Sequence, residues 1–336
     1  MTVLVTGASG FIGRSLVARL RREREPVRAL VLPDERVSLD AEIARGDVTR
    51  PDSLAPALRR VRVVYHLAAV VSDWGPEALF RAVNVDGTRN VLAAAAAARV
   101  ERVVVASSVV VYGSQLGREI CDEDLPREHG CGPYSRSKRG QEEIALDFHR
   151  FGRVPVTLVR PGNVYGPGSI PWVHMPVALL RAGRLPLIDG GEGDAALTWV
   201  DNLVELLLLA GRVPAASGRV YNANDGSGVT WARYFTALAS AAGAGRPRLR
   251  MPSGAAMAAA VAMEAAWRVA RRQKRPLFTR EAVTLLASRH PVPVSRAARE
   301  LGYAPPVEFG ETMDRLAAAL SPGARPARRE RLRRFR

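Results

Sequence analysis

Tyr134 and Lys138 stand four positions apart in Tyr134-Ser135-Arg136-Ser137-Lys138, and the lysine is one of two, with Lys274, in a chain of 49 basic residues. On a helix that spacing puts the phenol and the ammonium on one face, where the ammonium lowers the phenol pKa and makes it a usable acid or base. Arginine would keep the charge but lose the compact donor that also reaches a cofactor ribose. A lysine at this place in an arginine-rich chain therefore marks a chemical requirement.

A Tyr-x-x-x-Lys pair is a weak signal alone, so the elements that position it decide its meaning. Thr2 to Val5 form a short apolar strand running into Thr6-Gly7-Ala8-Ser9-Gly10-Phe11-Ile12-Gly13, with glycines spaced G-x-x-G-x-x-G. Gly7 permits the tight strand-to-helix turn, Gly10 lets the backbone approach a pyrophosphate, and Gly13 lets the helix starting near Phe11 pack on the sheet. The N–H groups and positive dipole end of that helix face the phosphates. Ser9, Phe11 and Ile12 lie in the same turn and complete the candidate cofactor cradle.

Strand and helix then alternate. Val27 to Leu32, Ala41 to Gly46, Arg62 to Leu67, Arg102 to Ser107 and Val154 to Arg160 read as buried parallel strands, separated by helical stretches such as Ala78 to Arg99 and Ser135 to Arg150. This is an α/β pattern, a doubly wound parallel Rossmann sheet, which binds ligands beyond the carboxyl ends of its strands. The third strand ends in Gly46-Asp47-Val48, placing the Asp47 carboxylate where an adenine amino group is recognised. The fourth ends in His66-Leu67-Ala68-Ala69, whose Leu67, Ala68 and Ala69 leave room for the cofactor. The fifth ends in Ser107-Ser108-Val109-Val110-Val111-Tyr112-Gly113, with hydroxyls on the side of Tyr134.

Taken in order, the glycine turn, Asp47-Val48, His66 to Ala69, Asn84-Val85-Asp86-Gly87-Thr88, Ser107-Ser108, Tyr134 to Lys138 and Arg160-Pro161-Gly162-Asn163-Val164-Tyr165-Gly166-Pro167 resemble the extended short-chain dehydrogenases/reductases over nearly the whole chain. The resemblance implies that Tyr134 is the general acid/base, that Lys138 binds the nicotinamide ribose and lowers the Tyr134 pKa, and that Ser108 hydrogen-bonds the same substrate oxygen. Ser107 is the rival for that last role, and its spacing to Tyr112-Gly113 favours Ser108. Pro161 and Gly162 are implied cofactor contacts, and Asn84 is expected to be structural. Hydride chemistry of this kind needs no metal, and the five histidines show no ligand spacing.

NAD or NADP stays open. The second strand ends in Arg28-Ala29-Leu30-Val31-Leu32-Pro33, with Val31 and Leu32 where a discriminating acid or arginine usually falls, and Asp34, Glu35 and Arg36 follow too late to decide. Relatives that act on nucleotide sugars carry an arginine where this chain has Ala195, which removes a bidentate clamp on a diphosphate. The Val200-Asp201-Asn202 core and the pattern Pro276-Leu277-Phe278-Thr279-Arg280-Glu281-Ala282-Val283 resemble instead the 3β-hydroxysteroid dehydrogenase branch, with an apolar substrate. Asn163 stands where sugar epimerases often bind substrate, with a loop-capping role as its equal alternative. Trp74, Trp172, His174 and Trp199 are candidate walls of the substrate cleft.

A chain of 336 residues with 47% hydrophobic content holds one nucleotide domain and a smaller lobe. We place the cofactor domain at 1–165, with part of 195–225 returning to it, a mainly substrate-binding lobe at 166–320, and a disordered basic tail at 321–336. Cys121 and Cys131 are expected as free thiols in a cytoplasmic protein without a signal peptide. The apolar-then-basic run from Gly254 to Arg275 suits a lid or packing helix better than a helix lying on an anionic membrane.

Of the net charge of +16, the segment Arg325 to Arg336 holds seven arginines and one glutamate, 7 − 1 = +6, and no nucleic-acid-binding motif accompanies it. Contact of that tail with nucleic acid or membrane is the lesser expectation. A homodimer through the helices 78–99 and 135–150 is implied by the resemblance.

The sequence thus points to an NAD(P)-dependent oxidoreductase interconverting a secondary alcohol and a ketone on an apolar, sterol-like or long-chain substrate. A nucleotide-sugar epimerase or dehydratase, and a non-catalytic dinucleotide-binding regulator, are the alternatives. The complete Ser108, Tyr134, Lys138 set argues against the latter.

Overall fold

A computed structural model of the chain describes residues 2–126 and 132–321. Cys131 and the arginine-rich segment 322–336 lie outside the described residues. Strands β1 (Thr2–Thr6), β2 (Val27–Val31), β3 (Glu42–Arg45), β4 (Val61–His66), β5 (Arg102–Ala106) and β6 (Val156–Pro161) follow the expected pattern within a residue or two. Further strands are β7 (Asn163–Tyr165), β8 (Pro186–Ile188), β9 (Leu197–Trp199), β10 (Val220–Ala223) and β11 (Leu249–Met251). The helices are α1 (Phe11–Arg22), α2 (Glu77–Phe80), α3 (Gly87–Ala97), α4 (Pro133–Arg150), α5 (Met175–Arg181), α6 (Val200–Arg212), α7 (Trp231–Ala241), α8 (Ser253–Val269), α9 (Arg280–Leu286), α10 (Ser295–Leu301) and α11 (Phe309–Leu320).

The central sheet has seven strands in the order β10-β6-β5-β4-β1-β2-β3, all parallel. Strand order reverses beside β1, so the crevice between the ends of β1 and β4 is where such sheets take their ligands. Valine-rich β4 and β5 are buried on both faces because helices cover each side. One layer packs α1 and α6 through Leu16, Leu20, Leu203 and Leu207, and the other packs α3 and α4 through Val91, Leu92, Ile144 and Phe148.

The second lobe has its own core of Tyr165, Val173, Trp199, Trp231, Tyr234 and Leu316, with two short parallel strand pairs, β7-β9 and β8-β11. Helix α6 and strand β10 belong to the central layer system. Helix α10 joins them through Ala297 and Leu301.

Within the helical stretch expected over 78–99, Arg81–Asp86 winds as a π-helix between α2 and α3. Asn84 lies within this segment. It is fully buried, accepts from the Val70 N–H at 2.8 Å and donates to the Val70 carbonyl at 3.1 Å and to Ser137 Oγ at 2.9 Å. Its side chain thereby ties the loop after β4 to α4, which carries Tyr134 and Lys138.

Arg160 on β6 and Glu142 on α4 form a buried bidentate pair at 2.8 and 2.9 Å, and Arg160 also donates to the Tyr112 hydroxyl at 2.8 Å. A forked guanidinium satisfied on three sides fixes the rotation of α4 against the sheet, and with it the direction of the tyrosine–lysine face.

Helix α8 packs on the second lobe through Ala256 and Ala260 and leaves Val261 and Val269 exposed. No helix among the described residues is long and apolar enough to cross a membrane.

Candidate active site

The glycine turn opens the site. Gly7 has φ 62, and a Cβ there would lie 2.8 Å from the Ala68 nitrogen, while one on Gly13 would lie 2.2 Å from the Gly7 carbonyl oxygen. Only glycines let the turn, the end of β4 and α1 close together, leaving a cradle of bare backbone. Helix α1 begins with no side-chain cap and no acidic residue in its first turn. Its orphan N–H groups are thus available to a pyrophosphate, and the cradle fits a dinucleotide cofactor.

Around the cradle, Val48 is buried beneath Gly87, and Asp47 Oδ1 is occupied by the Thr49 N–H and hydroxyl, each at 2.8 Å. Leu67, Ala68 and Ala69 are half-buried beside the turn, and Pro161 and Gly162 close β6 with Gly162 N–H donating to Ala223 O at 2.8 Å. Phe11 reaches the other way, lying under Gly166 and Gly168.

The loop after β2 corrects one sequence expectation. Glu35, set aside as falling too late, folds back onto the glycine turn, and Ser9 Oγ donates to its Oε2 at 2.9 Å. Arg45 Nη1 holds the loop in that shape by donating to the carbonyls of Leu32 and Pro33 at 3.1 Å each and of Glu35 at 2.5 Å. A carboxylate therefore does stand against the glycine turn.

Behind the cradle runs a buried polar chain. Lys138 Nζ donates to the Ala106 carbonyl and to Gln141 Oε1, both at 2.8 Å, and Gln141 Nε2 donates to Thr88 Oγ1 at 2.8 Å. Thr88 gives its one proton to the Asn84 carbonyl at 2.7 Å, so it accepts from His66 Nε2 at 2.9 Å, leaving His66 Nδ1 to accept from the Thr6 hydroxyl at 2.7 Å. Burial, then the nearby Lys138 charge, pushes the His66 pKa down to about 3, so its ring is neutral.

Burial also pulls the Lys138 pKa down to about 7, partly opposed by Glu142. Two of its three protons are used, and the third is available to a ribose hydroxyl. Sequence reasoning singled out neither Gln141 nor Thr6, because a glutamine one turn beyond a lysine carries no signal until the helix is docked.

Tyr134 stands at the second residue of α4, with the Lys138 nitrogen 5.8 Å from its ring centroid. Burial, then the charge of Glu281, holds its phenol above the ordinary value, and a hydrogen bond with Ser108 works in the other direction. Burial thus outweighs the lowering expected from Lys138.

Ser108 Oγ also accepts from the Val110 N–H at 3.3 Å, whereas Ser107 Oγ is buried without a partner. The geometry brings Ser108, Tyr134 and Lys138 together at the carboxyl ends of the strands.

Glu281, which the sequence analysis read only as part of a pattern, is buried beside this group. Neither of its oxygens makes a well-formed hydrogen bond.

The substrate candidates scatter. Trp74 Nε1 donates to the Arg272 carbonyl at 3.2 Å and its ring lies under Arg268, at the basic end of α8. His174 is exposed, and Trp172 is half-buried with its ring 5.2 Å from that of Trp231. Trp199, at 2% exposure against Tyr165, belongs to the core of the second lobe rather than to an open wall. Asn163 Nδ2 donates to the Ala195 carbonyl at 2.7 Å, the backbone-tying role given as its alternative.

Comparison with known proteins agrees with this geometry. Residues 3–223 match the NAD dependent epimerase/dehydratase family. A 4-hydroxy-2-methyl-3-oxo-4-farnesyl-3,4-dihydroquinoline-1-oxide ketoreductase of Stigmatella aurantiaca is 33% identical over 98% of this chain and 100% of its own. The 3beta-hydroxysteroid-dehydrogenase/decarboxylase isoform 1 of Arabidopsis thaliana is 28% identical over 95% of this chain and 79% of its own. Among solved structures, DesIV, a dTDP-glucose 4,6-dehydratase from Streptomyces venezuelae with NAD and TYD bound, superposes with a TM-score of 0.74 at 25% identity, covering 95% of this chain and 96% of its own.

Proposed function

The chain belongs to the NAD dependent epimerase/dehydratase family, and from that premise we propose that it is a nicotinamide-dependent oxidoreductase that interconverts a ketone and a secondary alcohol on an apolar substrate. The observation that carries this is the meeting of Ser108, Tyr134 and Lys138 beside a bare-backbone dinucleotide cradle.

A bound nicotinamide supplies or accepts the hydride. The glycine turn and the start of α1 hold its phosphates, and Lys138, steadied by Ala106 and Gln141, is placed for its ribose. Ser108 hydrogen-bonds the substrate oxygen and orients it on Tyr134. Tyr134 gives that oxygen a proton during reduction and takes it back during oxidation.

Glu35 supports NAD over NADP. A carboxylate at the ribose end accepts from ribose hydroxyls but repels a 2′-phosphate.

An apolar substrate is supported by the names of the relatives, a farnesylated ketone in one and a hydroxysteroid in the other. A sugar epimerase would use the same tyrosine and lysine. Ala195 offers no cation to a sugar diphosphate, and Asn163 is turned onto the backbone.

The test is a panel of hydrophobic ketones and 3-oxo acids, and of 3β-hydroxysterols and other secondary alcohols, with each nicotinamide cofactor, beside UDP- and dTDP-sugars. Cofactor turnover with the apolar compounds supports the reading. Sugar interconversion without net cofactor turnover overturns it.

A further inference from the structure

Glu281 lies in the first turn of α9, which Thr279 caps by accepting from the Ala282 N–H at 3.2 Å. Its side chain runs against the start of α4. A Cβ on Gly132 would sit 1.8 Å from Glu281 Oε2, so only glycine leaves space for the carboxyl there. Gly132 is the N-cap of α4, and Tyr134 is two residues on.

Charged groups face Glu281 from each neighbouring element: Asp73 from the loop before α2, Glu264 from α8 and Arg136 from α4, besides the Ser135 N–H. The others are occupied. Asp73 is held by Arg275 Nε and the Thr279 hydroxyl, both at 2.5 Å, and Glu264 by Arg268 and Arg280 at 2.9 and 3.0 Å. Arg136 pairs with Glu77.

Glu281, 4% exposed, has only the Ser135 N–H near it, and among the described residues neither oxygen makes a well-formed hydrogen bond. A buried, unpaired carboxyl with two acids nearby favours its neutral form. Burial, followed by the charge of Asp73, accordingly moves its pKa up to about 8.

The groups that act on the Tyr134 phenol are therefore Glu281 from α9 and Ser108 from the end of β5, with the Lys138 nitrogen of α4 5.8 Å from its ring centroid. Ionised Glu281 disfavours a phenolate beside it, and so keeps the phenol protonated at alkaline pH.

We propose that Glu281 is a positioning residue that holds Tyr134 in its proton-donating form and so favours ketone reduction over alcohol oxidation. This rests on the reading of Tyr134 as the acid of an oxidoreductase. In reduction the ketone carbon gains a hydride, with its two electrons, from reduced nicotinamide. The carbonyl π pair then forms the new O–H bond to the Tyr134 proton as the phenol O–H breaks, and water reprotonates the phenolate. Oxidation needs the phenolate first, the state that the Glu281 charge opposes.

The experiment compares wild type, Glu281→Gln, Glu281→Asp and Tyr134→Phe by pH profiles of kcat in both directions. Tyrosinate difference absorbance of the cofactor-free proteins, taken against Tyr134→Phe, gives a readout apart from activity. With glutamine the Tyr134 titration and the alkaline limb of reduction move down by about one pH unit, and oxidation above about pH 8, where wild-type Glu281 is ionised, rises correspondingly. Glu281→Asp keeps the charge and restores the wild-type profile.

Unchanged midpoints in Glu281→Gln, with Tyr134→Phe inactive, overturn the inference and leave the proposed function standing. An active Tyr134→Phe overturns the function itself.

Infrared spectroscopy of the wild type keeps the test independent of whether a variant folds. A protonated-carboxyl band must be present at pH 7, where Asp225, raised to about 6, is mostly ionised, and must vanish as pH rises through about 8. Its persistence up to about pH 10 would leave Glu281 without the charge that acts on Tyr134 and would overturn the inference.

Discussion

Lys138 donates to the side-chain carbonyl of Gln141 at 2.8 Å, one turn further along α4, so the ammonium is aimed before any cofactor arrives. Gln141 is itself fixed by Thr88, and Thr88 by Asn84 and His66, which reach back to the end of β1. The cradle and the acid/base group are thus two ends of one buried hydrogen-bond chain.

Gln141→Leu should lower NAD affinity and kcat together, by about ten-fold each, with little loss of fold. It frees the Lys138 head without removing it. Calorimetric NAD titration beside steady-state kinetics reads both, and a change in neither would refute the positioning role of Gln141.

Lys138 links the site to stability. Its folded pKa lies at about 7 against an ordinary 10.5. The unfolded chain therefore binds more protons between these values, and the Lys138 contribution to stability falls as pH drops from 10.5 toward 7. Lys138→Met should flatten the pH dependence of urea unfolding in that window, and an unaltered slope would contradict the burial of the ammonium.

Glu35→Ala should reduce discrimination against NADP by at least about ten-fold, since it removes the carboxylate facing the ribose. The ratio of kcat/KM for the two cofactors measures this. A wild-type preference for NADP would show that the Ser9–Glu35 contact opens on binding.

Breaking the Arg160–Glu142 pair from one side, with Arg160→Met or Glu142→Gln, should cost about 3–5 kcal/mol, because a buried charge is left alone. Replacing both with apolar residues should return most of it. A denaturant double-mutant cycle decides between this and a pair that contributes nothing.

What the sequence showed and what it hid divide along physical lines. The strand, glycine turn and helix from Thr2 to Arg22 are contiguous, so their period and glycine spacing carried the cofactor cradle directly. Tyr134 and Lys138 were visible for the same reason, both lying on one helical face.

Glu35 was hidden because an irregular loop has no period from which its return to Ser9 can be read. Glu281 was hidden because it meets Tyr134 only through packing of α9 against the start of α4. Trp199 misled in the opposite sense, since a tryptophan near a cleft and one in the core beside it look alike until Tyr165 and Trp231 are seen to fill the lobe. The helical stretch over 78–99 was legible, but the π-helical winding of Arg81–Asp86 within it was not.

The most direct test of the account is hydride tracing with NADH carrying deuterium at the transferable C4 position and a hydrophobic ketone that the enzyme turns over. The account predicts one deuterium on the carbinol carbon of the product with wild-type protein, and loss of about two to four orders of magnitude in rate with Tyr134→Phe while NAD binding is retained. Undiminished transfer in Tyr134→Phe, or no deuterium in any product alongside epimerised sugar, would contradict it.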